Sequence, residues 1–276
     1  MKLSLAIAPS HASPLAFVVF RDRYETSMAK ASRLGYDGVE LALASADEVD
    51  PAQLKELLNQ FGLELPVIST GRVFGEDKLF LTDPDAGRRR EAVERVKGLI
   101  DLAARFGAMV NLGRVRGYIA AGETAADAAG RFGESLRECA GHAAPLGVTL
   151  IVEPVNRYEI NFINSLDEGA ALLDALNLAN TGLMPDVFHM NIEDDRIGAS
   201  LIKNSRWVRY IHLADSNRMA PGQGHLDFDE IFGAMKSMGY NGWVTVEILQ
   251  KPDPDTAARQ AAEYLRPRIA AYNESF

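Results

Sequence analysis

The sequence has one cysteine, Cys139, in 276 residues. A disulfide framework within the chain is therefore excluded, and a reducing compartment, the cytoplasm, is the expected location. Cys139 lies in the helical stretch SLRECAGHAAPLG with no thiolate-activating motif beside it, so it reads as a small buried hydrophobe. Positive charge is also short. Lys and Arg number 29 against 38 Asp and Glu, a formal net charge of −9. A nucleic-acid partner needs clustered basic residues and is not expected. The run Arg88-Arg89-Arg90 precedes Glu91 and Glu94 at helical spacing and reads as a solvated helix face. No apolar run approaches the ~18 residues of a membrane span, so no membrane partner is expected. The opening MKLSLAIAPS is too short and too alternating for a signal peptide and reads as a strand. The turn after it, APSHASP, has no glycine, which counts against the phosphate loop of a doubly wound dinucleotide fold.

What is present is ordinary globular material, 47% hydrophobic and 24% charged, with length enough for one α/β barrel. Short β-rich runs alternate with longer helical patterns. Strands are expected at Leu3–Ala8, Gly38–Leu43, Leu65–Ser69, Met109–Leu112, Val148–Glu153, Gly182–Val187, Val208–Leu213 and Trp243–Ile248. Helices are expected near 24–34, 51–61, 84–106, 124–145, 166–176, 196–204, 227–238 and 255–271. Asp83-Pro84 offers a cap residue before a proline at the first helical position. Gly35, Gly62, Gly147 and Gly239 follow helical stretches, where a left-handed cap favours glycine. These units, with no Pro/Gly/Ser linker, predict a single-domain (β/α)₈ TIM barrel over residues 1–276.

A barrel of this kind builds its site at the carboxyl ends of the strands. The fifth expected strand, in IVEPVNRYEINF, ends in Glu153. The sixth, GLMPDVFH, supplies Asp186 and then His189. The seventh, RYIHLADSNR, supplies His212, Asp215 and Arg218, and the eighth, WVTVEIL, supplies Glu247. Glu153 and Glu247 sit in runs of Val and Ile, where an unpaired charge is costly. A divalent cation held by Glu153, Asp186, His212 and Glu247 removes that conflict. An oxygen-rich set with one imidazole suits manganese first, with magnesium or cobalt as alternatives. Two open positions on such an ion fit the adjacent oxygens of a hydroxy-ketone. The metal then acts as a Lewis acid and the shared carbon loses its proton to form an enediolate. Two carboxylates on opposite faces invert that carbon; one base on one face moves the carbonyl instead. Glu153 and Glu247 are the expected acid/base pair.

The segments EPVNRYE, DVFHMNIED and HLADSNRMAPGQGHLDF resemble the ketose 3-epimerase branch, the D-tagatose 3-epimerase relatives, of the xylose-isomerase-like barrels. The MKLSL opening and the VRG segment are similar to the 5-keto-L-gluconate epimerase type within it. The resemblance implies that Glu153, Asp186, His212 and Glu247 are metal ligands, with the two glutamates as the proton-transfer pair. It further implies that Glu159, His189 and Arg218 bind substrate oxygens, and that the chain forms a homodimer or homotetramer. Arg72, in STGRVFGEDKLFL, departs from the neutral polar residue expected in that branch.

Arg114 and Arg116, in GRVRG, are either a surface pair or, with Arg72, a fork for a substrate carboxylate. The second reading makes the substrate an acidic ketose of the 5-keto-L-gluconate or D-tagaturonate type. A neutral ketose (tagatose, psicose, ribulose), a hydroxypyruvate- or xylose-type isomerase, an inosose dehydratase and a non-catalytic sugar-binding barrel are the competing readings. The DNA-repair branch of this fold requires several zinc ions and a basic surface, and five histidines do not supply it. Among bland readings, Glu247 could pair with Arg209 and Asp215 with Arg218. His225 reads as a loop-ordering residue, His142 as structural, and His11 has no assigned place.

Overall fold

The computed structural model describes residues 1–13 and 17–274. Pro14, the end of the APSHASP turn, lies outside them. The chain alternates strand and helix. β1 (Lys2–Ala8) leads through β2 (Phe20–Arg21) to α1 (Tyr24–Arg33), and β3 (Gly38–Ala42) to α2 (Pro51–Phe61). β4 (Val67–Ser69) is followed by α3 (Gly71–Asp77) and α4 (Ala86–Ala104), and β5 (Met109–Leu112) by α5 (Ala125–Ala143). β6 (Leu150–Val152) precedes α6 (Leu166–Leu176), and β7 (Thr181–Leu183) precedes α7 (Val187–Glu193) and α8 (Ile197–Lys203). β8 (Ile211–Leu213) with α9 (Phe228–Ser237), and β9 (Trp243–Val246) with α10 (Pro254–Glu274), complete the order.

The strand order is β7-β6-β5-β4-β3-β1-β9-β8, with parallel pairing and with β2 off the path beside β1. The two ends of the sheet meet. Parallel bridges join Leu183 to Val208 and Asp186 to His212. His212 N–H donates to Pro185 O at 2.9 Å across this seam. The result is the (β/α)₈ barrel, which leaves no long unpaired edge.

Local chemistry sets the helix ends. Asp50 caps α2 by accepting the Ala52 and Gln53 N–H groups, with Pro51 at the first helical position. Gly62 closes that helix in the left-handed region at φ 63°, which a side chain would strain. Thr124 and Asp127 form a reciprocal capping box on α5. One expectation is corrected. Asp85, not Asp83, caps α4, because its carboxylate accepts the Gly87 and Arg88 N–H groups. Asp83 instead pairs with Arg88 and accepts the Asp85 N–H. The strand expected at Gly182–Val187 is also shorter. Pro185 has no N–H to pair, and Asp186 becomes the cap of α7, accepting the Phe188 N–H at 2.9 Å. The short elements α3, α7 and β2 lie outside the eight expected units.

Inside the barrel the two-residue period of a strand decides what faces what. Val67, Ile151, Met184 and Tyr210 form one buried apolar cluster with Met109 and Trp243 against it. Two residues further along each strand stand Ser69, Asn111, Glu153, His212 and Thr245. The intervening residues Ile68, Val110, Val152, Ile211 and Val244 belong to the large core that includes the helices. The strands thus place an apolar plug low in the barrel and a polar layer above it, toward the carboxyl rim.

Candidate active site

That polar layer contains the four residues read from the strand ends. Glu153 follows β6, Asp186 caps α7, His212 lies in β8, and Glu247 follows β9. Each offers one ligand atom, and the four atoms lie within 4.8 Å of one another. His212 Nδ1 stands 3.6 Å from Glu247 Oε2, 3.8 Å from Glu153 Oε1 and 3.9 Å from Asp186 Oδ2. These separations exceed hydrogen-bond length, and the buried Nδ1 has no partner.

The electrostatics are those of a site short of positive charge. Burial pushes the Glu153 carboxyl up to about 8, with the Glu247 and Asp186 charges adding to it. Asp186 and Glu247 feel the same burial, but Arg218 and the imidazole beside them outweigh it and hold both below the ordinary carboxylate range. His212 is raised well above its usual value, because Glu40 and Glu247 outweigh the burial that opposes its charge. Two buried carboxylates and a partly buried third around an orphaned imidazole nitrogen fit a hard divalent cation, and a thiolate-seeking ion has nothing to bind here.

Arg218 is the cation that this arrangement does contain. Its Nη1 lies 2.5 Å from Asp186 Oδ2, its Nη2 pairs closely with Glu247 Oε2, and its guanidinium carbon lies 5.2 Å from the Phe17 ring and 4.7 Å from the Phe188 ring. Both bland pairings are corrected by this geometry: Glu247 pairs with Arg218 and not Arg209, and Asp215 does not pair with Arg218. Asp215 is fully buried and accepts the N–H groups of Ser216, Gly222 and Leu226. It thereby shapes the loop that carries Arg218 at φ 62°.

Above the cluster lies a cleft, with Glu153, Glu159, His189, Arg218, Glu247 and Arg114 among its lining residues. His189, on α7, is buried, and burial lowers its pKa to about 3, so the ring is neutral. Asn156 Nδ2 donates to His189 Nδ1 at 2.8 Å, which puts the proton on Nε2. That nitrogen faces Glu153 and Asp186 at 3.8 Å and remains free to donate to a ligand oxygen. Glu159 also meets Asn156 Nδ2, at 3.2 Å, and burial raises its carboxyl against the pull of Arg218 and Arg114.

The three arginines of the expected carboxylate fork separate. Arg116 is corrected: it is fully buried and away from the cleft. Its guanidinium is spent on the carbonyls of Gly113, Phe162 and Ile163, because no water reaches it there. Arg72 lines the cleft but its charge is taken by Glu48 at 2.5 Å and Glu76 at 2.8 Å. Only Arg114 lines the cleft with no carboxylate partner among the described residues; its guanidinium sits 6.0 Å from the Phe74 ring. His11 lies 3.6 Å from Glu48, His225 bonds Ser216, and His142 pairs with Asp101 at 2.7 Å.

Sequence reading missed two buried partners. Asn111 Nδ2 donates to Glu153 Oε2 at 3.1 Å, and Glu40 Oε2 meets His212 Nε2 at 2.9 Å. Glu40 carried the same signal as Glu153, a lone carboxylate in an apolar strand, GVELA.

Comparison with known proteins agrees with this architecture. Residues 28–268 match the family model described as xylose isomerase-like TIM barrel. The chain is 31% identical over 225 residues to an L-ribulose 3-epimerase of Methylomonas sp. strain DH-1, covering 80% of this chain and 77% of that one. It is 34% identical over 134 residues to a 3-dehydro-D-guloside 4-epimerase of Escherichia coli K12, covering 48% of this chain and 51% of that one. The solved structure of a D-psicose 3-epimerase with D-tagatose, from Clostridium cellulolyticum H10, superposes with a TM-score of 0.84 at 25% identity. That superposition covers 98% of this chain and 99% of that one.

Proposed function

Because this chain belongs to the xylose isomerase-like TIM-barrel family, we propose that it is a metal-dependent epimerase that inverts the carbon next to the ketone of a ketose or keto-sugar acid. It is an enzyme of the isomerase class, as its epimerase relatives are. The relatives' names support the choice of carbon. Carbon 3 of a 2-ketose and carbon 4 of a 3-dehydro sugar each adjoin the ketone. The observation that carries the proposal is the convergence of Glu153, Asp186, His212 and Glu247 within 4.8 Å beneath the cleft.

Those four residues would hold the cation, with manganese the first choice and magnesium or cobalt the alternatives. When bound, such an ion supplies Lewis acidity that acidifies the hydrogen on the carbon between ketone and hydroxyl. The chain's own groups do the rest. One of Glu153 and Glu247 takes the proton from one face of the substrate carbon, and the other returns a proton on the opposite face. His189 Nε2–H, Arg218 and Glu159 meet the oxygens flanking the reacting carbon.

The finer reading, an acidic ketose such as a 5-keto-L-gluconate or D-tagaturonate type, rests now on Arg114 alone, since Arg72 is neutralised and Arg116 buried. A neutral ketose is favoured by that same loss. The carboxylates Glu76, Glu159, Glu153 and Glu247 all line the cleft, against Arg72, Arg114 and Arg218. The reading further includes a cytoplasmic homodimer or homotetramer.

The test is incubation with a panel of neutral and acidic ketoses in heavy water with Mn²⁺. Deuterium entering the carbon beside the carbonyl, with a single epimer formed, supports the proposal. Aldose product points to an isomerase, loss of water to a dehydratase, and no exchange with any ketose to a binding protein. Glu153→Gln and Glu247→Gln should each abolish epimerisation while Mn²⁺ stays bound.

A further inference from the structure

Glu40 stands in the middle of β3 between Val39 and Leu41 and is fully buried. A carboxylate at that depth costs several kcal/mol unless it is paired. Its partner is His212 Nε2, 2.9 Å from Oε2. β3 and β8 are not neighbours in the sheet, because β1 and β9 lie between them. The contact therefore crosses the interior of the barrel. The second oxygen, Oε1, is buried with no hydrogen-bond partner. Packing alone does not account for such a residue, since a leucine or methionine would fill the space without an orphaned acceptor.

What the contact does is geometric. An imidazole on a strand can turn about its Cβ–Cγ bond and present either a nitrogen or a carbon to the rim. With Nε2–H donating to Glu40, only one orientation of the ring remains, and it aims Nδ1 at Glu153, Asp186 and Glu247, 3.6 to 3.9 Å away. Nδ1 is buried and unpartnered in that orientation. We propose that Glu40 is a positioning residue, which fixes the His212 ring so that Nδ1 is offered to a divalent cation. The inference rests on reading the four-residue cluster as a cation site. It follows a general habit of metal-binding imidazoles, which donate their second N–H to a carboxylate.

The experiment titrates chelator-treated protein with Mn²⁺ and follows imidazole nitrogen coupling by pulsed EPR. Four proteins are compared: wild type, Glu40→Met, Glu40→Gln and Val39→Ala. Val39 is equally buried on the same strand but packs in the core beneath the helices, so it controls for lost core stability. Wild type should bind Mn²⁺ with nitrogen coupling visible. Glu40→Met should bind roughly 10–100-fold more weakly, with the coupling lost. Glu40→Gln keeps an acceptor for Nε2 and should retain the coupling at about threefold or more weaker affinity. Val39→Ala should match wild type in both. Wild-type affinity and coupling in Glu40→Met would overturn the inference and leave the cation site standing. Should that variant not fold, an unchanged affinity in Glu40→Gln overturns it instead. Wild type that binds no cation removes both the site and the inference.

Discussion

Cation binding at this site should be strongly coupled to protons, and the coupling can be worked from the geometry. Without a cation, the Glu153 carboxyl titrates at about 8, because it is buried beside Glu247 and Asp186. At pH 7 it therefore carries about 0.9 of a proton. His212 is also held protonated, through Glu40 and Glu247. Asp186 and Glu247 are already ionised, their pKa values lowered by Arg218 despite burial. A ligand must be bare to bind, so each cation should displace about two protons at pH 7. Affinity should then rise on the order of 100-fold for each pH unit between 6 and 7. Calorimetric titration with Mn²⁺ in buffers of different ionisation enthalpy measures the number directly. Glu153→Gln should lower it by about one. A wild-type release near zero, or the same release in Glu153→Gln, would refute the charge assignment.

The metal-free protein carries the converse signature in stability. Both shifts are upward, and below about pH 6.5 the lowered His189 offsets Glu153, so it is between about pH 6.5 and 8 that the folded state binds more protons than the unfolded chain and stability falls as pH rises. Thermal melts in chelator should show that decline from about pH 6.5 to 8, and saturating Mn²⁺ should abolish it. Arg116→Met should cost about 3–5 kcal/mol in urea unfolding, because it strips hydrogen bonds from the buried carbonyls of Gly113, Phe162 and Ile163. Arg114→Ala should lower kcat/KM by roughly 10-fold or more for an acidic ketose and leave a neutral one within about twofold; equal effects on both would remove the acidic-substrate reading. Tyr210→Phe lies in the layer below the site, where its hydroxyl bonds Ser4 and Thr245. It should cost about 1 kcal/mol in denaturant unfolding and leave Mn²⁺ affinity unchanged, since Ser4 and Thr245 still meet each other.

The parts of the site that were legible share one physical signature. Glu153, Asp186, His212 and Glu247 each interrupt or end an apolar run, and burying such a group has a cost that the sequence displays. The barrel was legible for a related reason: helix caps such as Asp50 with Pro51, and C-caps such as Gly62, act within a few residues of themselves. What stayed hidden depends on partners far along the chain. Arg116 reads like a surface arginine until the loop carrying Phe162 folds over it, 46 residues later. Arg72 reads as a free fork until Glu48, 24 residues before it, takes one side of its charge. Glu40 meets His212 across 172 residues, and no local pattern encodes that meeting. Yet the alternation that faces Glu40 into the barrel also brings Asn111, Glu153, His212 and Thr245 to the same layer. Polar residues one strand-period above an apolar plug are therefore the positions to examine together. Their inward direction follows from the two-residue period, and only their pairing needs the closed barrel.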